Sequence, residues 1–170
     1  MRAFISAVIL TATMHATVHA QSLAEAQRDI DNENYFRAKN TLFKLLNDPL
    51  QKGDALYYLG NAYLKTDDVD SAKVFYKLAY NPDTKTPNSY LANGRLALLN
   101  KNLAEAKLNF DRAAQITRMK NALVFYEAGD AYFRPNVIDA KLAISNLEQA
   151  HQIDNKNTAI MLNLGDAYLS

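Results

Sequence analysis

The residues of this 170-residue chain that could do chemistry are few, and their spacing argues against catalysis. Cysteine is absent, and the histidines are His15, His19 and His151. An activated nucleophile needs a base within hydrogen-bond reach, and a catalytic metal needs several ligands converging on one point. His151 follows Ala150, an alanine with packing periodicity, and is expected to face solvent. It supports neither a two-histidine metal motif nor a Ser-His-Asp arrangement. The stretch "DDVDS" (67–71) has the acidic density of a calcium loop but lacks that loop's glycine and distal glutamate. Its aspartates fit better as caps at the start of a helix. The glycines stand singly inside helical patterns, so no phosphate-cradling loop exists. No catalytic, cofactor-binding or metal-ligating residue is therefore assigned, and the chain reads as a non-enzyme without a cofactor.

What remains is a docking surface, and the glycines reveal the elements that would build it. Gly60, Gly94, Gly129 and Gly165 are separated by 34, 35 and 36 residues, the kind of fixed period that marks a repeat array. Three residues after each glycine comes Tyr63, Ala97, Tyr132 or Tyr168, and four before it comes Leu56, Tyr90, Phe125 or Met161. Ala72 and Ala106 lie twelve residues after the first two glycines. The matching alanine of the next unit is Ala143, fourteen along, which implies a two-residue insertion near Pro135. At four and seven residues beyond these alanines come Tyr76 and Ala79, Phe110 and Ala113, and Leu147 and Ala150. A weaker, earlier copy is Ala26, Ala38, Leu42 and Leu45.

Offsets of three, four and seven are helical. Each unit is thus two helices joined by a short polar turn: "DNEN" (31–34), "KTDD" (65–68), "NKN" (100–102) and the longer "RPNVID" (134–139). Ser22 with Glu25, and Asn102 with Glu105, have the form of capping boxes. Pro49, Pro82 and Pro87 fall between units, where helices stop. A mid-helix glycine costs roughly 1 kcal/mol relative to alanine, so its recurrence needs a packing reason. It shares one face of the first helix with the large residues four before and three after it. The second helix is expected to approach that face at its own alanine.

The segment "ALYYLGNAYLKTDDVDSAKVFYKLAYNP" (55–82) resembles the tetratricopeptide repeat, and the resemblance covers nearly all of residues 22–170. Departures are Ala97 for tyrosine, Asn93 for leucine, the insertion in the fourth unit, and a first unit with Ser22, Ala26 and Asp29 at consensus positions. The resemblance implies an all-α fold, a right-handed superhelical solenoid of antiparallel helix pairs. Its repeats would be 21–52, 53–86, 87–121 and 122–157, with a partial one at 158–170. It also implies a concave groove lined by the first-helix face opposite the glycines. That face comprises Tyr57, Asn61 and Lys65, then Leu91, Arg95 and Leu99, then Tyr126, Asp130 and Arg134, with Leu162 and Asp166 following. Tyr57, Leu91, Tyr126 and Leu162 would form an exposed apolar row beside a row of Asn61, Arg95, Asp130 and Asp166, suited to a peptide or partner protein. The family's best-known peptide clamp grips a C-terminal carboxylate with lysine and asparagine. Here the corresponding row, Leu23, Tyr57, Leu91, Tyr126 and Leu162, holds no lysine, and Arg95 and Asn61 match in part.

The N-terminus carries an address. Arg2 precedes "AFISAVILTATM" (3–14), too short to span a bilayer. The run ends in "TVHAQ", with Val18 and Ala20 as the small residues of a cleavage site, so residues 1–20 read as a secretory signal cut before Gln21. Losing Arg2 from the 19 basic residues leaves 18 against 18 acidic, which offers nucleic acid or anionic lipid no long-range attraction. RNA-binding pentatricopeptide arrays share a similar period but need a basic face. No cysteine follows the cleavage site to carry a lipid, so the mature chain is expected in the periplasm or outside the cell, without direct membrane insertion. The expected function is a non-enzymatic, exported scaffold that binds a peptide or protein in its groove. The alternative is a recognition module for an enzyme or sensor lying beyond residue 170, because residues 158–170 supply a first helix whose Met161, Leu164, Tyr168 and Leu169 ordinarily pack on a second.

Overall fold

The computed structural model of the chain describes residues 23–134 and 139–169. The signal segment, Ser22 of the first capping box and the insertion near Pro135 lie outside the described residues. Within them every regular element is a helix: α1 (23–31), α2 (Tyr35–Leu45), α3 (Lys52–Lys65), α4 (Val69–Ala79), α5 (Pro87–Leu99), α6 (Leu103–Ile116), α7 (Ala122–Tyr132), α8 (Ala140–Ile153) and α9 (Thr158–Leu169).

The turns explain why the helices come in pairs. Glu33, Asp67 and Lys101 adopt left-handed φ values of 61°, 58° and 61°, at a 34-residue spacing. Each reverses the chain in the same way. Asn34 N–H donates to the Asp29 carbonyl (2.7 Å), Asp68 N–H to Tyr63 (3.0 Å) and Asn102 N–H to Ala97 (2.8 Å), closing a Schellman turn on the first helix. The donor is at once the N-cap of the second helix. Asp68 Oδ1 accepts from Ser71 N–H at 3.0 Å, Asn102 Oδ1 from Glu105 N–H at 3.2 Å and Asp139 Oδ1 from Leu142 N–H at 3.0 Å. In the fourth unit Asp139 N–H donates to the Tyr132 carbonyl at 3.1 Å, so α8 starts against the same position of its first helix. Glycine usually fills the left-handed position; here charged side chains do, at a strain of about 1 kcal/mol each.

The second helices bury a narrow stripe. Ala38, Ala72, Ala106 and Ala143 are each 0% exposed, and the large residue four later, Leu42, Tyr76, Phe110 or Leu147, is at most 3% exposed. The chain divides into two compact units, one ending at Ala72 and the other beginning at Lys73, so the boundary falls inside α4. In the N-terminal unit α2 packs on α3. Arg37 Nε donates to the buried Asp29 carboxylate at 2.8 Å, joining α1 to α2, and Lys39 Nζ sits 4.4 Å above the Tyr63 ring.

In the C-terminal unit α5 pairs with α6 and α7 with α8, α7 touches both α5 and α6, and α8 carries α9. The notch glycines Gly94 and Gly129 work here as steric gaps. A Cβ on Gly94 would lie 2.4 Å from Phe110 Cε1, and one on Gly129 would lie 2.6 Å from Leu147 Cγ and 3.2 Å from the Ala143 carbonyl oxygen. The filler is thus the large residue of the second helix more than its alanine, a correction to the expected alanine contact. The alanine brings the backbones close, and the branched or aromatic side chain one turn later occupies the gap. Phe110 is itself braced edge-on by Tyr132, the ring centroids 5.2 Å apart.

Candidate functional site

The face of interest lies on the first helices of the C-terminal unit, one position beyond each notch glycine. Because α7 packs on α5, Arg95 projects from α5 onto α7 and is 3% exposed. Its Nη2 donates to Glu127 Oε2 at 2.6 Å, to Asp130 Oδ2 at 3.0 Å and to the Glu127 carbonyl at 3.1 Å. One turn further on, Arg134 Nη2 reaches Asp130 Oδ2 at 3.4 Å. Two guanidiniums therefore face two carboxylates. Desolvating such a group is tolerable only when each charge is compensated and hydrogen-bonded. Tyr76, fully buried on α4, stands in the field of these four charges. Burial pushes its phenol up, and the nearby Arg95 and Arg134 oppose that rise.

The sequence-selected residues separate by depth. Tyr57, Asn61, Leu91 and Arg95 are buried; Leu99, Tyr126, Asp130 and Arg134 are half-buried; Lys65, Leu162 and Asp166 are exposed. The expected row of exposed tyrosines and leucines is corrected accordingly. Tyr57 is 0% exposed, its ring edge-on to Tyr58, and Leu91 is 1% exposed. On α5 the reason is the seating of α7, which turns positions expected to line a groove into a helix–helix seam. The structure brings Arg95, Asp130 and Arg134 together. Leu162 and Asp166 stand in solvent on α9.

Glu127 was not among the sequence-selected residues. Its signal was present, since the 11-residue helix "ALVFYEAGDAY" is apolar apart from Glu127 and Asp130, which at a spacing of three share one face. His151 is half-buried in the last turn of α8, where solvent exposure was expected.

Among the described residues no group of three or more histidines, cysteines or carboxylates converges to hold a metal ion. Asp68, in the acidic turn, caps α4. The Ser71 backbone N–H, and then the Ser71 hydroxyl, hold its carboxyl below the usual range. Among the described residues no helix is long and apolar enough to cross a membrane.

No protein-family model matches the chain, and no curated protein matches it. Solved structures do. A structure from the functional characterisation of Pseudomonas aeruginosa PilF aligns over 89% of this chain and 68% of its own length, at 18% identity and a TM-score of 0.56. The first tetratricopeptide domain of Spaghetti (RPAP3), solved with the HSP90 peptide SRMEEVD, aligns over 70% of this chain and 92% of its own at 20% identity, with a TM-score of 0.48. MamA aligns over 89% and 81% at 18% identity, with a TM-score of 0.46. At this identity the PilF likeness is one of fold. Together with the helix pairs, the turns recurring every 34 residues and the notch glycines, it gives the chain an all-α helical repeat fold of the tetratricopeptide type.

Proposed function

We propose that this chain is an exported, non-enzymatic scaffold that binds a partner protein or peptide along the accessible part of its first-helix face. The observation that carries the reading is the ion-pair lattice in which buried Arg95 and Glu127 meet half-buried Asp130 and Arg134. An apolar seam of similar volume would stabilise the fold at least as well. The lattice instead fixes Asp130 and Arg134 half-exposed beside Tyr126, in one geometry. Rigid aromatic and arginine side chains next to paired charge are what interface anchors are made of. The partner is expected to bring an apolar side chain for Tyr126 and Leu162, and polar groups for Asp130 and Arg134. The sequence holds no cysteine and, once the expected signal is removed, one histidine, which favours a binding role over a catalytic one.

Tyr126→Ala combined with Leu162→Ala tests the face. Both positions are at least partly solvated, so folding should persist by circular dichroism while recovery of a partner from envelope extract falls. Equal recovery would refute the assignment. Export is tested separately. Edman sequencing of the protein recovered from the periplasm or medium should begin at Gln21, and a chain that keeps Met1 in the cytosol would refute it.

A further inference from the structure

We infer that the turn between α6 and α7 is a docking surface for an acidic amphipathic segment of a partner protein, one that sets carboxylates around large apolar side chains. The surface is separate from the first-helix groove and does not rest on it.

Charge is the first ground. From Arg112 to Tyr126 the chain holds no aspartate or glutamate. Arg112, Arg118 and Lys120 are exposed, and among the described residues none of the three is paired with a carboxylate. The carboxylate just before them on α6, Asp111, is held by Lys107 at 2.7 Å. The neighbouring turns of the same unit balance their signs, Asp83 with Lys85 and Asp154 with Lys156. Those turns are exposed too, so helices seated before and after a turn of this kind leave it in water. The α6–α7 turn already has α5 and α6 on one side and α7 and α8 on the other.

The cations surround apolar surface. Ile116, Met119 and Leu123 are 39%, 53% and 44% exposed, and Ile116 shares a face of α6 with Arg112, one turn before it. Arg118 and Met119 are both left-handed, with φ of 54° and 57°, a conformation unfavourable to side chains. Of the left-handed residues among those described, Met119 is the one without a charge. The turn is nonetheless held firmly. Arg118 N–H donates to the Gln115 carbonyl at 2.9 Å, Met119 N–H to Ala114 at 2.9 Å and Lys120 N–H to Thr117 at 3.1 Å, while Asn121 Oδ1 caps Leu123 N–H at 3.0 Å. Strain fixed at a half-solvated apolar side chain does nothing for the core; it displays Met119 between two cations. Arg112 is placed as well, its guanidinium carbon 6.0 Å from the centroid of the Tyr90 ring, which Tyr80 meets edge-on. Fixed cations around an apolar centre ask for carboxylates and apolar side chains at set spacings, which a polypeptide supplies.

The probe is a fluorescein-labelled leucine–glutamate peptide, LEELLEELLEEL, titrated with the purified protein beside its lysine counterpart, LKKLLKKLLKKL, and beside phosphatidylglycerol vesicles. Saturable binding is expected for the glutamate peptide alone, weakening as sodium chloride is raised and weakening about tenfold in Arg118→Glu combined with Lys120→Glu. Met119→Asn keeps a side chain that tolerates the left-handed φ, so it should leave the melting temperature unchanged and still weaken binding severalfold. Tyr126→Ala with Leu162→Ala should bind this peptide as wild type does, which separates a failure here from a failure of the groove assignment. Absence of saturable binding, equal binding of the lysine peptide, or affinity that survives the charge reversal overturns the inference. Loss of binding in the groove variant overturns it too. Vesicle binding without peptide binding would assign the turn to a lipid surface and equally overturn it.

Discussion

"GDAY" stands both at 129–132 in α7 and at 165–168 in α9, yet the two copies do different physical work. In α7 the glycine is buried under Leu147 and its tyrosine is sealed against Phe110. In α9 the glycine is exposed and its tyrosine lies largely in water. A repeat signature therefore marks where a close helix contact is possible, and the neighbouring helix decides whether it is made. The same lesson holds one position on. Asp130 is gripped by Arg95 and Arg134, while Asp166, its counterpart, is solvated.

Changes that strike α7 should therefore hurt, and the same changes on α9 should not. The largest effect is expected from Arg95→Met, which strips the principal cation from Glu127 and Asp130. Breaking a buried ionic cluster typically costs about 3–5 kcal/mol, and urea denaturation should show a loss of that order. Asp166→Asn should stay within about 0.5 kcal/mol of wild type. Next comes Gly94→Ala, whose methyl must displace the Phe110 ring braced on Tyr132. Overpacking of this kind costs about 1–3 kcal/mol, measurable as a fall in Tm.

Alkaline pH should separate the two tyrosines more gently. Burial pushes the Tyr132 phenol well above its ordinary value near 10, whereas Tyr168 is raised first by donating to Glu148. The folded state holds the Tyr132 proton more tightly than the unfolded chain does. Its stabilisation is thus complete below about pH 10 and declines as pH rises beyond, by up to about 1.4 kcal/mol per pH unit. Tyr76, also raised by burial, adds a similar share. Denaturation midpoints at pH 8 and pH 11 should differ less in Tyr132→Phe than in wild type, and Tyr168→Phe should behave like wild type. The smallest effect is a gain. Gly165→Ala relieves a helical glycine in open space and should stabilise by about 0.5–1 kcal/mol.

Much of this fold could be read from spacing, because helix pairing here is written in local periodicity. The alanine stripe of the second helices and the Asn102 cap follow from offsets of three, four and seven, and they stand in the structure as read. The Schellman turns were less legible, since Glu33, Asp67 and Lys101 occupy the left-handed position that glycine usually advertises. The accessible face was least legible. Whether Tyr57, Leu91 or Arg95 meets water depends on how one first helix sits against its neighbours, a non-local quantity that no single-helix pattern encodes. The position three beyond the notch glycine shows how far context reaches. It is a buried aspartate paired with Arg37 in α1, a tyrosine under Lys39 in α3, an alanine in α5 and a sealed tyrosine in α7.

The claim that a notch glycine matters only where a second helix fills it is tested most directly by unfolding two single variants side by side. Gly129→Leu forces four extra carbons against Leu147 and the Ala143 backbone. It should lose about 3 kcal/mol or more, or fail to fold. Gly165→Leu should retain wild-type stability or exceed it. Equal losses in the two variants, or a tolerated Gly129→Leu, would contradict the account.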